Sequence, residues 1–157
     1  QYGFWPSFET RIAFMQKYKH TIDPLRRVLS WKSRVMHTKT IEPGEFISYG
    51  TAFFASEHKK IAVIPVGYAD GFNRSLSNNG RVLIHGKIAP VIGLVNMNML
   101  IADITNINHV KPGDEVVLIG KQKNNIIMVS SFSEFTQQVN YELLTRLPGN
   151  IPRIIKN

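Results

Sequence analysis

The chain has 157 residues, of which 43% are hydrophobic, and it contains no cysteine. This length suits one globular domain with a buried core, and the lack of cysteine excludes disulfides and metal sites that need a thiolate. The formal net charge is +8, but the cations are spread in pairs such as Arg26-Arg27 and Lys59-Lys60, which is more typical of a solvated basic surface than of a nucleic-acid site. The five histidines show no ligand-like spacing, so we expect no metal, and no apolar run approaches a membrane span of about 20 residues, so we expect a soluble chain.

The first predicted element is a short helix over residues 7–19, because Ile12 and Met15 fall at helical spacing. From Leu25 onward, short β-branched and apolar runs are separated by Pro and Gly. This pattern predicts a mainly β fold, either a sheet or a barrel. The dipeptides Pro43-Gly44 and Pro112-Gly113 each precede an acidic residue and an apolar run, as type II turns feeding strands do.

The second half of the chain contains two ambiguous segments. Residues 96–99 alternate asparagine and methionine, which favours a half-buried strand with both methionines on one face. A helical segment is predicted over 131–146 and ends before Pro148. The final stretch, "IPRIIKN", reads as a last strand.

Tyr49 is the first residue that can carry chemistry, because Gly50 follows it and a flexible backbone can turn a phenol away from a strand end. A phenol ionises at about pH 10 in water, so a tyrosine acts as a base at neutral pH only beside cations. The alternative is an ordinary sheet tyrosine with a packed ring.

Asp70 is typical of a turn or cap, and Arg74 either binds an anion or stays solvated.

The order of the motifs is more specific than any single residue. "PGEFISYGTAF", "VGYADGFNRS", "APVIGLVNMNM" and "VNYELLTRLPGNIPRI" follow one another, and together they resemble the C-terminal part of bacterial alanine racemases, enzymes that use pyridoxal 5'-phosphate. The resemblance covers nearly the whole chain. It implies that residues 1–20 are the tail of an N-terminal α/β barrel domain with a short helix, and that residues 21–157 are a C-terminal β domain.

The resemblance also implies a role for individual residues. Tyr49 matches the catalytic tyrosine on the L-alanine side, which works opposite a lysine Schiff base from the barrel domain of the other subunit in a head-to-tail homodimer. Met97 matches a residue whose backbone N–H helps to hold the substrate carboxylate, and Tyr141 matches a tyrosine that hydrogen-bonds the cofactor phosphate. Four residues match positions of the access channel: Tyr68, Arg74, Leu94 and Val139.

The implied function is interconversion of L- and D-alanine for peptidoglycan synthesis in the cytoplasm, with this chain inactive alone because the lysine is missing. Many relatives have an arginine where Leu94 stands and an acidic residue where Asn98 stands. We interpret this as a compensated loss of two charges that alters the channel and spares the chemistry. Three alternatives stay open: a racemase of the same fold for another amino acid, a degenerate relative, and a non-catalytic basic β module that binds an anionic partner.

Overall fold

The structure, a computed structural model, describes residues 5, 8–19, 22, 24–25, 28–132 and 140–155. Within these ranges it contains helices α1 (Phe8–Lys17) and α2 (Asn140–Thr145), helical residues at 130–132, and ten short strands. The strands are β1 (Trp31–Arg34), β2 (His37–Ile41), β3 (Phe46–Ile47), β4 (Phe53–Phe54), β5 (Lys59–Ile64), β6 (Arg81–Ile84), β7 (Lys87–Pro90), β8 (Leu100–Asp103), β9 (Glu115–Gln122) and β10 (Asn125–Ile127). The predicted mainly β class and the predicted first helix are confirmed.

The described strands pair antiparallel in three sheets. One has the order β1-β9-β6-β7 with β10 also paired to β9, the second has the order β2-β5-β8, and the third is the β3-β4 hairpin. These strands form open sheets rather than a closed barrel. The turns follow from local sequence: Ile84 pairs with Lys87, and His85 and Gly86 between them have φ of 54° and 78°, as a type I′ hairpin turn requires.

The two Pro-Gly turns are present where the sequence predicted them. Gly44 has a φ of 93° and Gly113 a φ of 92°, the left-handed values that favour glycine at the third position of a type II turn. In the first turn the Glu45 N–H donates to the Glu42 carbonyl at 3.2 Å. This turn leads directly into β3 and thereby sets the direction of the β3-β4 hairpin, which carries Tyr49.

The core has two parts. The larger one is built from the inner faces of the two larger sheets and includes Phe72, whose ring meets that of Phe132 edge-on at 5.4 Å. The smaller cluster lies under the β3-β4 hairpin and consists of Ile41, Ile47, Ala55, Ile61 and Ile92. Burial of these side chains fixes the base of the hairpin, since each buried isoleucine contributes roughly 1.5–3 kcal/mol.

Two sequence predictions are wrong in detail. Residues 96–99 form a turn, in which the Asn96 N–H donates to the Met99 carbonyl at 2.9 Å, because the backbone there is bonded to a neighbouring loop instead of a strand. Residues 151–155 contain no strand, since Pro152 lacks the N–H that a ladder needs. Of the predicted 131–146 helix, residues 131–132 and Asn140–Thr145 are helical, and residues 133–139 lie outside the described part.

Candidate functional site

Tyr49 lies at the tip of the β3-β4 hairpin, in a 3-10 turn that spans Tyr49–Thr51. Its side chain is 77% exposed. Residues on both sides of it have a positive φ, namely Ser48 at 72°, Gly50 at 64° and Thr51 at 53°. The backbone thus lifts the phenol off the hairpin, while Ile47 below it is buried.

Ser48 ties the start of this turn to the segment of residues 93–97. Its Oγ donates to the Leu94 carbonyl at 3.2 Å and accepts the Leu94 N–H at 3.1 Å. Ser48 combines its positive φ with a ψ of 175°, a region that costs a residue with a Cβ about 1–3 kcal/mol. Gly93 allows the approach, because a Cβ there would lie 2.5 Å from the Ser48 Cβ.

Tyr68 is held to the same segment from the other side. Its N–H donates to the Asn96 carbonyl at 3.0 Å, and the next N–H, of Ala69, donates to the Met97 carbonyl at 2.9 Å. Gly67 makes this contact possible, since a Cβ at that position would lie 2.2 Å from the Asn96 carbonyl oxygen. The Asp70 carboxylate accepts the Gly67 N–H at 2.9 Å, which confirms its predicted role in a turn.

The orientation of the Met97 N–H follows from these bonds. The carbonyl of the Asn96–Met97 peptide faces the Tyr68 N–H, and none of the described peptides is cis. In a trans peptide the N–H points opposite to the carbonyl. The Met97 N–H is therefore directed away from the Tyr68 loop, and the Met97 side chain is 57% exposed.

Asn78 provides a third link to the same segment. Its side-chain Oδ1 accepts the Gly93 N–H at 2.6 Å, and its Nδ2 donates to the Ala52 carbonyl at 3.1 Å. The Ser77 Oγ beside it accepts the Val95 N–H at 3.0 Å. Residues 93–97 thus connect the turn of Tyr49, the turn of Tyr68 and the loop of Asn78.

Next to Tyr68 lies an open cavity of about 540 Å³, lined by Tyr68, Gly71, Asn73, Arg74 and Arg146. It contains two guanidinium groups, a phenol and an amide, and none of the described residues that line it is acidic. Such donors suit an anionic ligand, because guanidinium groups match carboxylate and phosphate geometry.

Helix α2 precedes Arg146 and supplies Leu143 and Leu144 to the core. Tyr141 belongs to this helix, and its side chain lies outside what the structure describes, as does the whole of Val139. The helix therefore enters the fold beside the cavity, and among the described residues of this region Arg146 lines it.

Two charged clusters belong to other loops of the sheets. Burial by itself raises the pKa of Asp103, but two bonds from Thr105 and the Lys59 ammonium at 3.2 Å outweigh it and lower that pKa. Bonds to Glu57 and to Asp103 in turn raise the pKa of Lys59. This network joins β5 to the end of β8 and is structural.

The second cluster joins two turns. The Asp114 carboxylate accepts the Lys111 N–H at 2.9 Å and lies 2.8 Å from the His85 Nε2. The Lys111 bond, and then His85, lower the pKa of Asp114 against the opposing effect of burial. Among the described residues, no group of His, Asp and Glu could hold a metal ion, and no helix is long and apolar enough to cross a membrane.

The structure brings most of the predicted site residues onto one set of loops. Tyr49, through Ser48, and Tyr68, through its own N–H, are bonded to residues 93–97, which include Leu94 and Met97, and Arg74 shares a cavity with Tyr68. Leu94 is half-buried. Asn98 is exposed within this chain, so the idea of a buried charge pair gains no support at that position.

The residues that hold these loops were not predicted from the sequence: they are Ser48, Asn78 and Gly67. The signal for Asn78 was its place in "SNNG", since asparagine tolerates a left-handed backbone, and here its φ is 57°. Gly67 gave no local signal, because its φ of −141° is ordinary extended backbone. Its role depends on a loop that follows about 30 residues later in the chain.

The fold and these loops define a β domain that presents an exposed tyrosine and an arginine-lined cavity on one bonded framework. Comparison with known proteins then identifies the family. The family described as "Alanine racemase, C-terminal domain" matches residues 28–155. The chain belongs to the alanine racemase family, as its C-terminal domain.

Individual relatives agree. Alanine racemase from Halothermothrix orenii is 44% identical over 133 residues, which are 85% of this chain and 35% of that protein. The crystal structure of alanine racemase from Bacillus anthracis with bound L-Ala-P has a TM-score of 0.86 at 31% identity, over 99% of this chain and 38% of that one. The structure from Bartonella henselae with covalently bound pyridoxal phosphate has a TM-score of 0.80 at 30% identity, over 87% and 37%. This chain therefore spans little more than a third of the length of the proteins it matches.

Proposed function

We propose that the full protein containing this chain interconverts L- and D-alanine, and that Tyr49 is the acid/base group on the L-alanine side. The observation that carries the proposal is the position of Tyr49, which is 77% exposed at a hairpin tip and tied through Ser48 to the segment that contains Met97. A phenol directed outward from its own domain is placed to act on a substrate held by another. We therefore also propose a head-to-tail homodimer in which the lysine comes from the barrel domain of a second copy.

In this reaction Tyr49 and the lysine act on opposite faces of the α-carbon. The Tyr49 oxygen accepts the α-proton of L-alanine, and the lysine gives a proton to the other face, which yields D-alanine. The reverse reaction exchanges the two roles. Pyridoxal 5'-phosphate, when bound, takes up the electron pair that the broken C–H bond leaves.

The other proposed roles rest on the surrounding loops. The Met97 N–H holds the substrate carboxylate, and its direction away from the Tyr68 loop supports this. Tyr68, Arg74 and Leu94 belong to the access channel, and the cavity beside Tyr68 supports the assignment of the first two. The role of Val139 in that channel stays a prediction from its motif.

The residues present fit an anionic cofactor. The cavity beside Tyr68 carries Arg74 and Arg146 and is large enough for a small ligand. Tyr141 would bond the cofactor phosphate from helix α2, which leads to Arg146. No lysine lines the described cavity, so attachment of the cofactor falls to a residue outside this set.

The test is α-proton exchange in heavy water, with the full-length protein loaded with pyridoxal phosphate and given L- or D-alanine separately. We expect Tyr49→Phe to abolish exchange from L-alanine and to keep part of the exchange from D-alanine, which the lysine alone can perform. Tyr18→Phe is the matched control, because Tyr18 is also exposed, at 54%, but follows helix α1. A wild type that exchanges neither enantiomer, or exchanges only another amino acid, would reject alanine racemisation.

A further inference from the structure

We propose that Asn78 is a positioning residue for Tyr49, whose side-chain amide fastens the far end of the Tyr49 turn to the segment that carries Met97. The inference rests on the proposed function and extends it to a residue that the sequence did not single out. The supporting observation is that the Asn78 amide makes two hydrogen bonds, one accepted by its oxygen and one donated by its nitrogen.

The Tyr49 turn is fastened at both ends to adjacent residues of one segment. At its start, Ser48 exchanges two bonds with Leu94. At its end, the carbonyl of Ala52, the residue that follows the turn, accepts the Asn78 Nδ2 at 3.1 Å. Without the Asn78 link, the Ala52 end of the turn would be held only by the pairing of Ile47 with Phe53, and the phenol at the tip would move more freely.

The amide of Asn78 cannot exchange its two ends without loss. Its Oδ1 faces the Gly93 N–H at 2.6 Å and its Nδ2 faces the Ala52 carbonyl, so a flipped amide would put donor against donor and acceptor against acceptor. The Asn78 N–H also donates to the Gly93 carbonyl at 3.3 Å. Gly93 thus fixes the amide plane, and the fixed plane directs the Nδ2 at Ala52.

Two substitutions separate these bonds. Asn78→Asp keeps an acceptor for Gly93 but replaces the donor to Ala52 by a carboxylate oxygen, which repels the carbonyl. Asn78→Gly removes both side-chain bonds and still accepts the φ of 57° without strain. Asn79→Asp is the matched control, because it adds the same charge one residue away, where the side chain bonds only the Ser77 carbonyl among the contacts described.

The experiment has two readouts on the full-length protein loaded with pyridoxal phosphate. The first is hydrogen–deuterium exchange of the backbone amides of residues 46–55, and the second is α-proton exchange from each alanine enantiomer. Asn78→Asp and Asn78→Gly should speed amide exchange in 46–55 and leave 115–119 unchanged. They should slow α-proton exchange from L-alanine by about 10- to 100-fold, as expected for a displaced catalytic group, and affect exchange from D-alanine far less.

The outcomes that contradict the positioning role of Asn78 differ from the outcome that contradicts the proposed function. If Asn78→Asp behaves like Asn79→Asp in both readouts, or slows exchange from both enantiomers equally, the positioning role is wrong. Variants of Asn78 that fail to fold would also overturn it, since they would show a general structural role. If the wild type exchanges neither enantiomer, the proposed function itself fails, whereas altered amide exchange in 46–55 would still show that Asn78 holds the turn.

Discussion

Gly67→Ala tests the contact on which the arrangement of Tyr68 and Met97 depends. An added Cβ would lie 2.2 Å from the Asn96 carbonyl oxygen and 2.4 Å from the carbonyl carbon and oxygen of Met97. These are backbone atoms, so no side-chain rotation relieves the overlap. The φ of −141° is extended backbone that alanine adopts freely, and the whole effect therefore comes from the collision.

The size of the effect follows from the geometry. Real Cβ contacts stay above 3.0 Å, so the loops must separate by at least 3.0 − 2.2 = 0.8 Å. This shift would break or stretch the two bonds from Tyr68 and Ala69 to the 96–97 segment, now 3.0 and 2.9 Å long. At about 0.5–1.5 kcal/mol for each bond, we expect a loss of about 1–3 kcal/mol in stability. A displacement of nearly 1 Å in the loop proposed to hold the substrate carboxylate should also lower kcat/KM by up to about 100-fold.

The assay measures thermal unfolding and racemisation of alanine with the full-length protein. Gly149→Ala is the control, since no atom lies within 4 Å of the position its Cβ would occupy and its φ is not left-handed. We expect the control to match wild type. If Gly67→Ala also keeps the wild-type Tm and kcat/KM, the close approach of these two loops does not position the site.

Two further substitutions test the supports of the fold. Ser48→Ala removes both bonds to Leu94 and should lower kcat more than it raises KM for alanine. The unpaired Leu94 groups should reduce the stability by about 1–3 kcal/mol. An unchanged kcat would contradict this expectation. Asp114→Asn removes a carboxylate whose pKa is lowered by the Lys111 N–H and by His85. Because the pKa of Asp114 is lower in the folded protein than its unfolded value of 3.8, the carboxylate stabilises the fold above pH 3.8. This stabilisation is lost as the pH falls through the folded-state pKa. Urea unfolding should therefore show that the variant loses about 1 kcal/mol of unfolding free energy at pH 7 and none near pH 2. A loss that does not depend on pH would refute the charge argument.

Local sequence predicted those parts of the fold that depend on neighbouring residues. The turns at Pro43-Gly44 and Pro112-Gly113 are set by the fixed φ of proline and the freedom of glycine, and they form where expected. The alternation of residues 96–99 was misread as a strand, because an alternating pattern does not say which backbone partners a segment will find. Those partners are the N–H groups of Tyr68 and Ala69.

The sequence by itself determined the mainly β class, the tight turns and the motif order that pointed to the family and to Tyr49. The tertiary structure alone decided how Tyr49 is held. The side chains of Ser48 and Asn78 reach residues 93–94, and the close approach at Gly67 joins Tyr68 to residues 96–97. These contacts join residues 15 to 46 positions apart, and a pairing across such distances depends on how the sheets pack rather than on any local preference of the chain.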